Sequence, residues 1–404
     1  IRYKDIAPWY DYAEKFIGVS GSREGLPILP DGIFQPAFEM NCAEKHVKQK
    51  IESRFPGIKI INTRSANITQ PLDGRSACQS RNLCHRGCPF GAYFSTQSST
   101  LPAAAKTGNL TIRTGAVVNR ILYDEKSGRA SGVEVIDRET LKTYVYTAKI
   151  IFLNASTLAT AHILLNSTSN RFQNGMGNDY YIVGRHLMDH HKVSYTTAEI
   201  EGFEDRYTFG KRPTGVYVPR FTNIDQQDPN FIRGYYYQGS ASRERGSRSD
   251  AIGEDLKSIA TEPGKWKINL GYYGETLPYA ENRITLNNNI KDIYGRPGMT
   301  IDCSFKDNEK AIFKDASETM KAMFEEIGLK NVKQSGTMSF PGNANHEMGT
   351  ARMGHDEKTS VLNKWNQLHA VKNLFITDGS SMASSACINP SLTYMALTAR
   401  AVDH

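Results

Sequence analysis

Lys265-Trp266-Lys267-Ile268-Asn269-Leu270 alternates polar and apolar at every position, and a similar alternation, rich in aromatics, runs through residues 192–290. That period predicts an antiparallel sheet with one wet face. Helical spacing occurs elsewhere. Residues 43–55 read as an amphipathic helix ended by Pro56-Gly57. Residues 307–327 read as another, with Ile312, Phe313, Met320, Met323 and Phe324 as its apolar positions and Gly328 as its cap. Shorter helices are predicted near Ser98–Thr107 and over Leu158–Asn166. A last helix opens near Pro390, where a first-turn proline gives up an N–H that has no partner to lose. Strands fall between them. Leu110 and Ile112, then Val117, Val118 and Ile121, start one; Gly132–Ile136 and Thr143–Tyr146 make a hairpin-like pair. Ile150–Leu153 is wholly apolar, as in a strand at the middle of a covered sheet. Residues 1–60 mix helical and loop patterns, and neither internal repeats nor low-complexity linkers occur.

The 404 residues suffice for two or three packed domains, and 39% hydrophobic content supports a globular fold. Apolar runs stay below the roughly 18 residues of a membrane span, so no transmembrane segment is expected in this chain. The net charge of +7, from 49 basic and 42 acidic residues, is spread out. Its densest spot, Ser242–Arg248, reads as a solvated polar loop or a lid, and nucleic-acid binding is not expected without a focused patch. The first residue is Ile1 and the last, His404, lies inside a helical pattern, so further chain is expected at both ends and a missing leader says nothing about export. The aromatic residues fit a sugar-stacking site and an ordinary core equally well.

Chemistry concentrates in two places. The first is Cys78, Cys84 and Cys88, spaced C-x5-C-x3-C in a loop rich in Gly, Asn and Arg and followed by Pro89, while Cys42, Cys303 and Cys387 are scattered. Three thiolates so close suggest one metal centre. Zinc held with the help of His85 is an alternative, and so is a disulfide plus a free thiol. Haem attachment is excluded, because Arg81 stands where C-x-x-C-H needs its first cysteine. The second place is the pair of stretches His346-Glu347-Met348-Gly349-Thr350 and Asn389-Pro390-Ser391-Leu392-Thr393. Oxidising an alcohol by hydride removal needs a base for the hydroxyl proton and a polar group to hold the oxygen. Neutral imidazole suits the first task and an amide the second. Of the other histidines, His190 and His191 beside Asp189 read as structural, and His355 and His369 carry no signal.

Taken with the flanking NHEMGTARMG and NLFITDGSSMASSACINPSLTYMALTARAVDH, these stretches resemble the glucose–methanol–choline (GMC) oxidoreductases. Further segments agree: Thr114–Ile121, Gly184-Arg185-His186-Leu187-Met188-Asp189-His190 in the pattern G-x-x-L-x-D-H, and Pro278–Ile284. The likeness covers about residues 60–404. Two departures stand out. The family's Ala-Gly loop is here Asn154-Ala155-Ser156-Thr157, and no G-x-G-x-x-G occurs, since Gly18-Val19-Ser20-Gly21 has the wrong spacing.

The resemblance implies an α/β (α+β) chain: an FAD-binding Rossmann-like domain lacking its N-terminal GxGxxG unit, plus an antiparallel-sheet substrate domain. Residues 1–69 would be a substrate-side or cap segment, 70–95 the cysteine loop, 96–190 part of the FAD-binding domain, 191–335 the substrate domain and 336–404 the C-terminal catalytic and FAD-binding segment. It implies that His346 is the catalytic base and Asn389 its partner. Val118, Asp378, Gly379, Pro390 and Thr393 would touch FAD, with the helix start at Asn389-Pro390 aiming N–H groups at a reduced flavin's negative charge. Cys78, Cys84 and Cys88 match sugar dehydrogenases of this family that hold a [3Fe–4S] cluster, which passes one electron at a time. The expected protein is therefore a periplasmic dehydrogenase of a sugar or glycoside hydroxyl, with a small helper subunit and a cytochrome c or quinone acceptor. The rivals are an oxygen-using alcohol or sterol oxidase with structural cysteines, and a non-catalytic subunit.

Overall fold

The computed structural model describes residues 1–206, 215–243 and 250–404, so Glu244–Arg248 of the predicted polar loop lie outside the described residues. The helices are α1 (Tyr3–Ile17), α2 (Cys42–Arg54), α3 (Thr100–Lys106), α4 (Thr157–Asn166), α5 (Gly253–Thr261), α6 (Asp307–Glu326) and α7 (Ser391–Asp403). The strands are β1 (Ile61–Asn62), β2 (Ala116–Asp124), β3 (Arg129–Asp137), β4 (Thr143–Thr147), β5 (Ile151–Phe152), β6 (His191–Ile200) and β7 (Val216–Val218). After them come β8 (Tyr235–Ser242), β9 (Trp266–Gly274), β10 (Arg283–Lys291), β11 (Pro297–Asp302), β12 (Lys330–Ser335) and β13 (Leu374–Phe375). Among the described residues no helix is long and apolar enough to cross a membrane.

Two cores organise the chain. The first is an antiparallel six-stranded sheet, ordered β1-β7-β8-β9-β6-β12, backed by α2 and α6. The alternation read in β9 is its cause: Trp266, Ile268 and Leu270 are buried while Lys267 and Asn269 are exposed. Against them pack Val47 and Ile51 of α2 and Ile312, Met320 and Phe324 of α6. Burying each such side chain contributes about 1.5–3 kcal/mol. A reciprocal cap opens α2, where Asn41 Oδ1 accepts from the Glu44 amide and the Glu44 carboxylate accepts from the Asn41 amide.

The second core gathers Ile121, Ala130, Ile151, Leu153, Ile163 and Leu164 with Leu374 and Ile376, drawing on the β2-β3-β4 sheet, the parallel pair β5-β13 and α4. Here the structure corrects three details. Leu110 and Ile112 lie outside β2 and are exposed. The run at Ile150–Leu153 forms only a two-residue strand with one partner, so it is not covered on both faces: Ile150 is 57% and Phe152 37% exposed. The segment at Pro278 becomes a strand only from Arg283, and β10 pairs with β11 alone instead of joining the six-stranded sheet. It does so because the Ile284 amide is drawn to the Gly184 carbonyl, and its side chain is buried with Ala161 of α4 and Leu187. Finally, α1 lies along α7, with Ile6 packed on Ala396 and Leu397.

Candidate active site

Backbone hydrogen bonds stitch the motifs together. Met188 and Met348 exchange a pair of amide–carbonyl bonds at 2.9 Å. The Gly184 amide reaches the Thr350 carbonyl at 2.7 Å, and the Leu187 amide reaches Asn282 at 2.9 Å. On the other side of the same segment the Gly349 amide donates to Gly379 and the Ala351 amide to Ser380. Gly349 has φ +90° and no room for a β-carbon, which would collide with the His186 carbonyl. Gly379 is equally confined, by the Glu347 carbonyl, the Thr157 hydroxyl and the Tyr394 hydroxyl. The His346 segment is thus wedged between residues 184–190 and 378–381.

The buried Asp189 carboxylate sets the loop. It accepts from the amides of Gly342 (2.8 Å), Ala344 (3.1 Å) and His346 (3.0 Å). His346 Nδ1 then meets His190 Nδ1 at 2.9 Å, and its Nε2 faces the Asn389 Nδ2 amide at 3.2 Å. Asn389 Oδ1 accepts from the hydroxyls of Tyr236 (2.9 Å) and Tyr217 (3.3 Å), which orients the amide with its N–H toward the imidazole. The Tyr236 and Tyr273 rings stack at 5.2 Å, and Tyr273 lies 6.2 Å from the His346 ring. Burial, helped by His190 and Lys192 and opposed by Asp189, lowers the His346 pKa from 6.5 to about 4. A neutral imidazole with one nitrogen facing an accessible space is a competent proton acceptor near neutral pH; His346 is half-buried and Asn389 exposed.

The other predicted residues divide. Pro390, buried, is the residue before the first turn of α7, and its carbonyl accepts from the Tyr394 amide at 3.2 Å. No side chain caps that helix end, which leaves its first amides available to a ligand. Asp378 takes hydrogen bonds from Thr160 Oγ1 (2.6 Å) and the Ser380 amide (3.0 Å) at the start of a short 3-10 turn. Beside it opens a cleft of about 850 Å³, lined among others by Trp9, Phe16, Asn154, Thr377, Asp378 and Tyr394. That volume lies in the range of small-molecule and cofactor sites. Ser156 adopts φ +74°, a conformation glycine takes freely, so the loop keeps a glycine-like path without the glycine. The cramped Gly379, the open end of α7 and the cleft fit a large planar cofactor. Thr393 turns away to bond Tyr10 at 2.7 Å. Val118 stands apart on β2, its carbonyl held by Arg296 at 3.1 Å.

Cys78, Cys84 and Cys88 all line one small cavity. All three are free thiols. Among the described residues no three His, Cys, Asp or Glu side chains converge as a ready-made metal site. Burial and the neighbouring Cys78 and Cys88 raise the Cys84 pKa. Burial also acts on Cys88, but the amides of Tyr93, Phe90, Ala92 and Gly91 outweigh it and lower the pKa, favouring a thiolate there.

His190, read from the sequence as structural, meets the His346 ring at 2.9 Å. The Asp-His ending of the G-x-x-L-x-D-H segment was its only signal. His191, read the same way, has its ring tied to the Tyr272 hydroxyl at 3.1 Å. Tyr217, Tyr236 and Tyr273 were missed, because three strands far apart in sequence deliver them.

The comparisons with known proteins give the class: a flavin-dependent oxidoreductase of the GMC type. Residues 1–192 match the N-terminal, and residues 278–398 the C-terminal, GMC oxidoreductase family model, and the chain belongs to that family. It is 29% identical over 420 residues to 2-methyl-1,2-propanediol dehydrogenase of Mycolicibacterium austroafricanum, covering 100% of this chain and 74% of that one. It is 25% identical over 411 residues to the fructose dehydrogenase large subunit of Gluconobacter japonicus, covering 100% and 73% respectively. Among solved structures, pyridoxine 4-oxidase from Mesorbium loti shares the fold with a TM-score of 0.62 at 17% identity, over 98% of this chain and 76% of that one.

Proposed function

We propose that the chain is the catalytic subunit of a dehydrogenase that oxidises a hydroxyl group of a sugar or glycoside. The observation that carries the reading is His346 Nε2 facing Asn389 Nδ2 at 3.2 Å, beside the Gly379 turn. Bound FAD supplies the hydride acceptor. His346 takes the hydroxyl proton at Nε2, Asn389 holds the same oxygen, and Asp378, Gly379 and Pro390 would hold the cofactor. Thr393 and Val118 enter by resemblance alone. Tyr273, half-buried and 6.2 Å from the His346 ring, offers a face for the C–H side of a sugar ring, with the buried Tyr236 stacked behind it. The names of the fructose and propanediol dehydrogenase relatives support an alcohol-bearing substrate of this class.

Cys78, Cys84 and Cys88 would hold a [3Fe–4S] cluster, which moves one electron at a time. Their shared cavity and the amide donors around Cys88 suit thiolate ligands. The three sulfurs do not converge as they stand, so the loop would rearrange around a cluster. Electron exit through such a centre points to a cytochrome c or quinone acceptor, a small helper subunit and a periplasmic setting, as the resemblance implies. The test is anaerobic turnover of a sugar and glycoside panel with a dye acceptor, with iron measured per chain. Dye-linked oxidation with about three irons per chain supports the reading. Turnover that needs oxygen, in iron-free protein, would replace it with an oxidase.

A further inference from the structure

We propose that His190 is a positioning residue that fixes which nitrogen of His346 carries the proton. The inference rests on His346 being the base. His190 is fully buried, and its Nε2 lies 2.9 Å from the Ala386 carbonyl and 3.2 Å from the Ser385 carbonyl. Carbonyl oxygens only accept, so that nitrogen carries a hydrogen. A neutral imidazole then has a bare Nδ1. This nitrogen meets His346 Nδ1 at 2.9 Å, and two bare nitrogens would repel, so His346 must donate from Nδ1. The same ring cannot also be protonated at Nε2 while neutral. The bare Nε2 therefore points at Asn389 Nδ2, the side from which a hydroxyl would be deprotonated.

The chain of donors is directional throughout. It runs from the Asn389 amide to His346 Nε2, from His346 Nδ1–H to His190 Nδ1, and from His190 Nε2–H to the two backbone carbonyls. Burial supports the neutral form of His190, lowering its pKa from 6.5 to about 4. The groups that face His346 are Asp189, Lys192 and the Tyr273 ring, besides His190 and Asn389. None of the three touches Nδ1 by a hydrogen bond that competes with His190. When Nε2 takes a proton, the imidazolium keeps its Nδ1–H on His190, so deprotonation of substrate needs no rearrangement of the ring.

Two-bond proton–nitrogen spectra of the holoenzyme, labelled with ¹⁵N-histidine and assigned with a His346→Gln variant, read the tautomer directly. The expected result is a protonated Nδ1 and a bare Nε2 on His346; a protonated Nε2 in the resting enzyme overturns the proposal. His190→Gln keeps an acceptor for Nδ1–H and donors for the two carbonyls, so it should retain the tautomer and turn over within about 10-fold of native. His190→Leu removes the acceptor and should cut kcat by roughly 10- to 1,000-fold with KM within about 3-fold, and mix the tautomers. A glutamine variant as impaired as the leucine variant, with the native tautomer intact in both, would show a purely structural role and sink the idea. Should the leucine variant fail to fold, the native and glutamine spectra still decide. Failure of the base reading is distinguishable, because the tautomer is read without turnover.

Discussion

The His346–Asn389 pair and the cysteine loop are both small polar centres, yet the chain builds them in opposite ways. Around His346, each polar atom has a partner before any ligand arrives: Asp189 takes three loop amides, His190 one ring nitrogen and Asn389 the other. Around Cys78, Cys84 and Cys88 the backbone turns through left-handed conformations at Ser80 (φ +51°) and Asn82 (φ +56°), as it does beside His346 at Asn345 (φ +57°) and Thr350 (φ +65°). The sulfurs border one cavity but do not converge. A centre that moves protons by short-range contact needs its groups placed to a fraction of an ångström. A centre held by metal–thiolate bonds can leave final placement to the metal. The difference teaches that hydrogen bonds within the chain already place the groups of the first site, whereas the fold alone does not bring the three sulfurs of the second together.

That contrast makes stability a direct probe. Asp189→Ala strips the acceptor from three amides in a buried setting and should cost about 3–5 kcal/mol, read from denaturant midpoints. A loss below about 1 kcal/mol would mean the loop is held by something else. Gly349→Ala should cost about 2–4 kcal/mol, because a methyl there meets the His186 carbonyl at φ +90°. An alanine variant as stable as native would show that the 186 and 349 segments are free to part.

The pH response sharpens the comparison further. His190 and His346 fall to about 4 and His191 to about 3, in each case mainly through burial, against 6.5 when free. The unfolded chain therefore takes up these protons first as pH drops through 6.5. Stability from these three groups is full above that value and drains away toward about pH 3. Burial raises Glu14 to about 7 and acts in the opposite sense, so the check compares the fall in urea midpoint from pH 7 to pH 4.5 in native protein and in His191→Gln; equal falls would contradict the burial of that ring. The smallest effect belongs to the loop. Cys84→Ser should change the stability of iron-free protein by less than about 0.5 kcal/mol. In the loaded enzyme it should spare cofactor reduction by substrate and block onward transfer to an outer acceptor. Undiminished transfer would remove the relay.

Much of this was legible in the sequence, for local reasons. The two-residue period of β9 and the apolar positions of α6 named their own elements, because burial acts on side chains at fixed spacing. His346 and Asn389 were legible because each sits in a distinctive short motif. What stayed hidden depends on contacts between distant segments. Asp189 stands in the G-x-x-L-x-D-H segment, but its task shows only once the 342–346 loop folds over it. Tyr236 and Tyr273 look like core residues until β8 and β9 pair to stack them near Asn389. β12, a polar six-residue edge strand, has no alternation to betray it, since its burial pattern is almost wholly exposed. The strand at Ile150–Leu153 misled because apolar composition predicts cover, whereas here only one neighbour supplies it.

The account turns on the imidazole of His346 taking a hydroxyl proton. Rapid mixing of a sugar or glycoside substrate with oxidised holoenzyme, followed by bleaching of the flavin absorbance, isolates that step from every later electron transfer. His346→Ala should slow the bleaching roughly 10²- to 10⁴-fold at saturating substrate, the range expected for a lost general base. Bleaching within a few-fold of native would contradict the account.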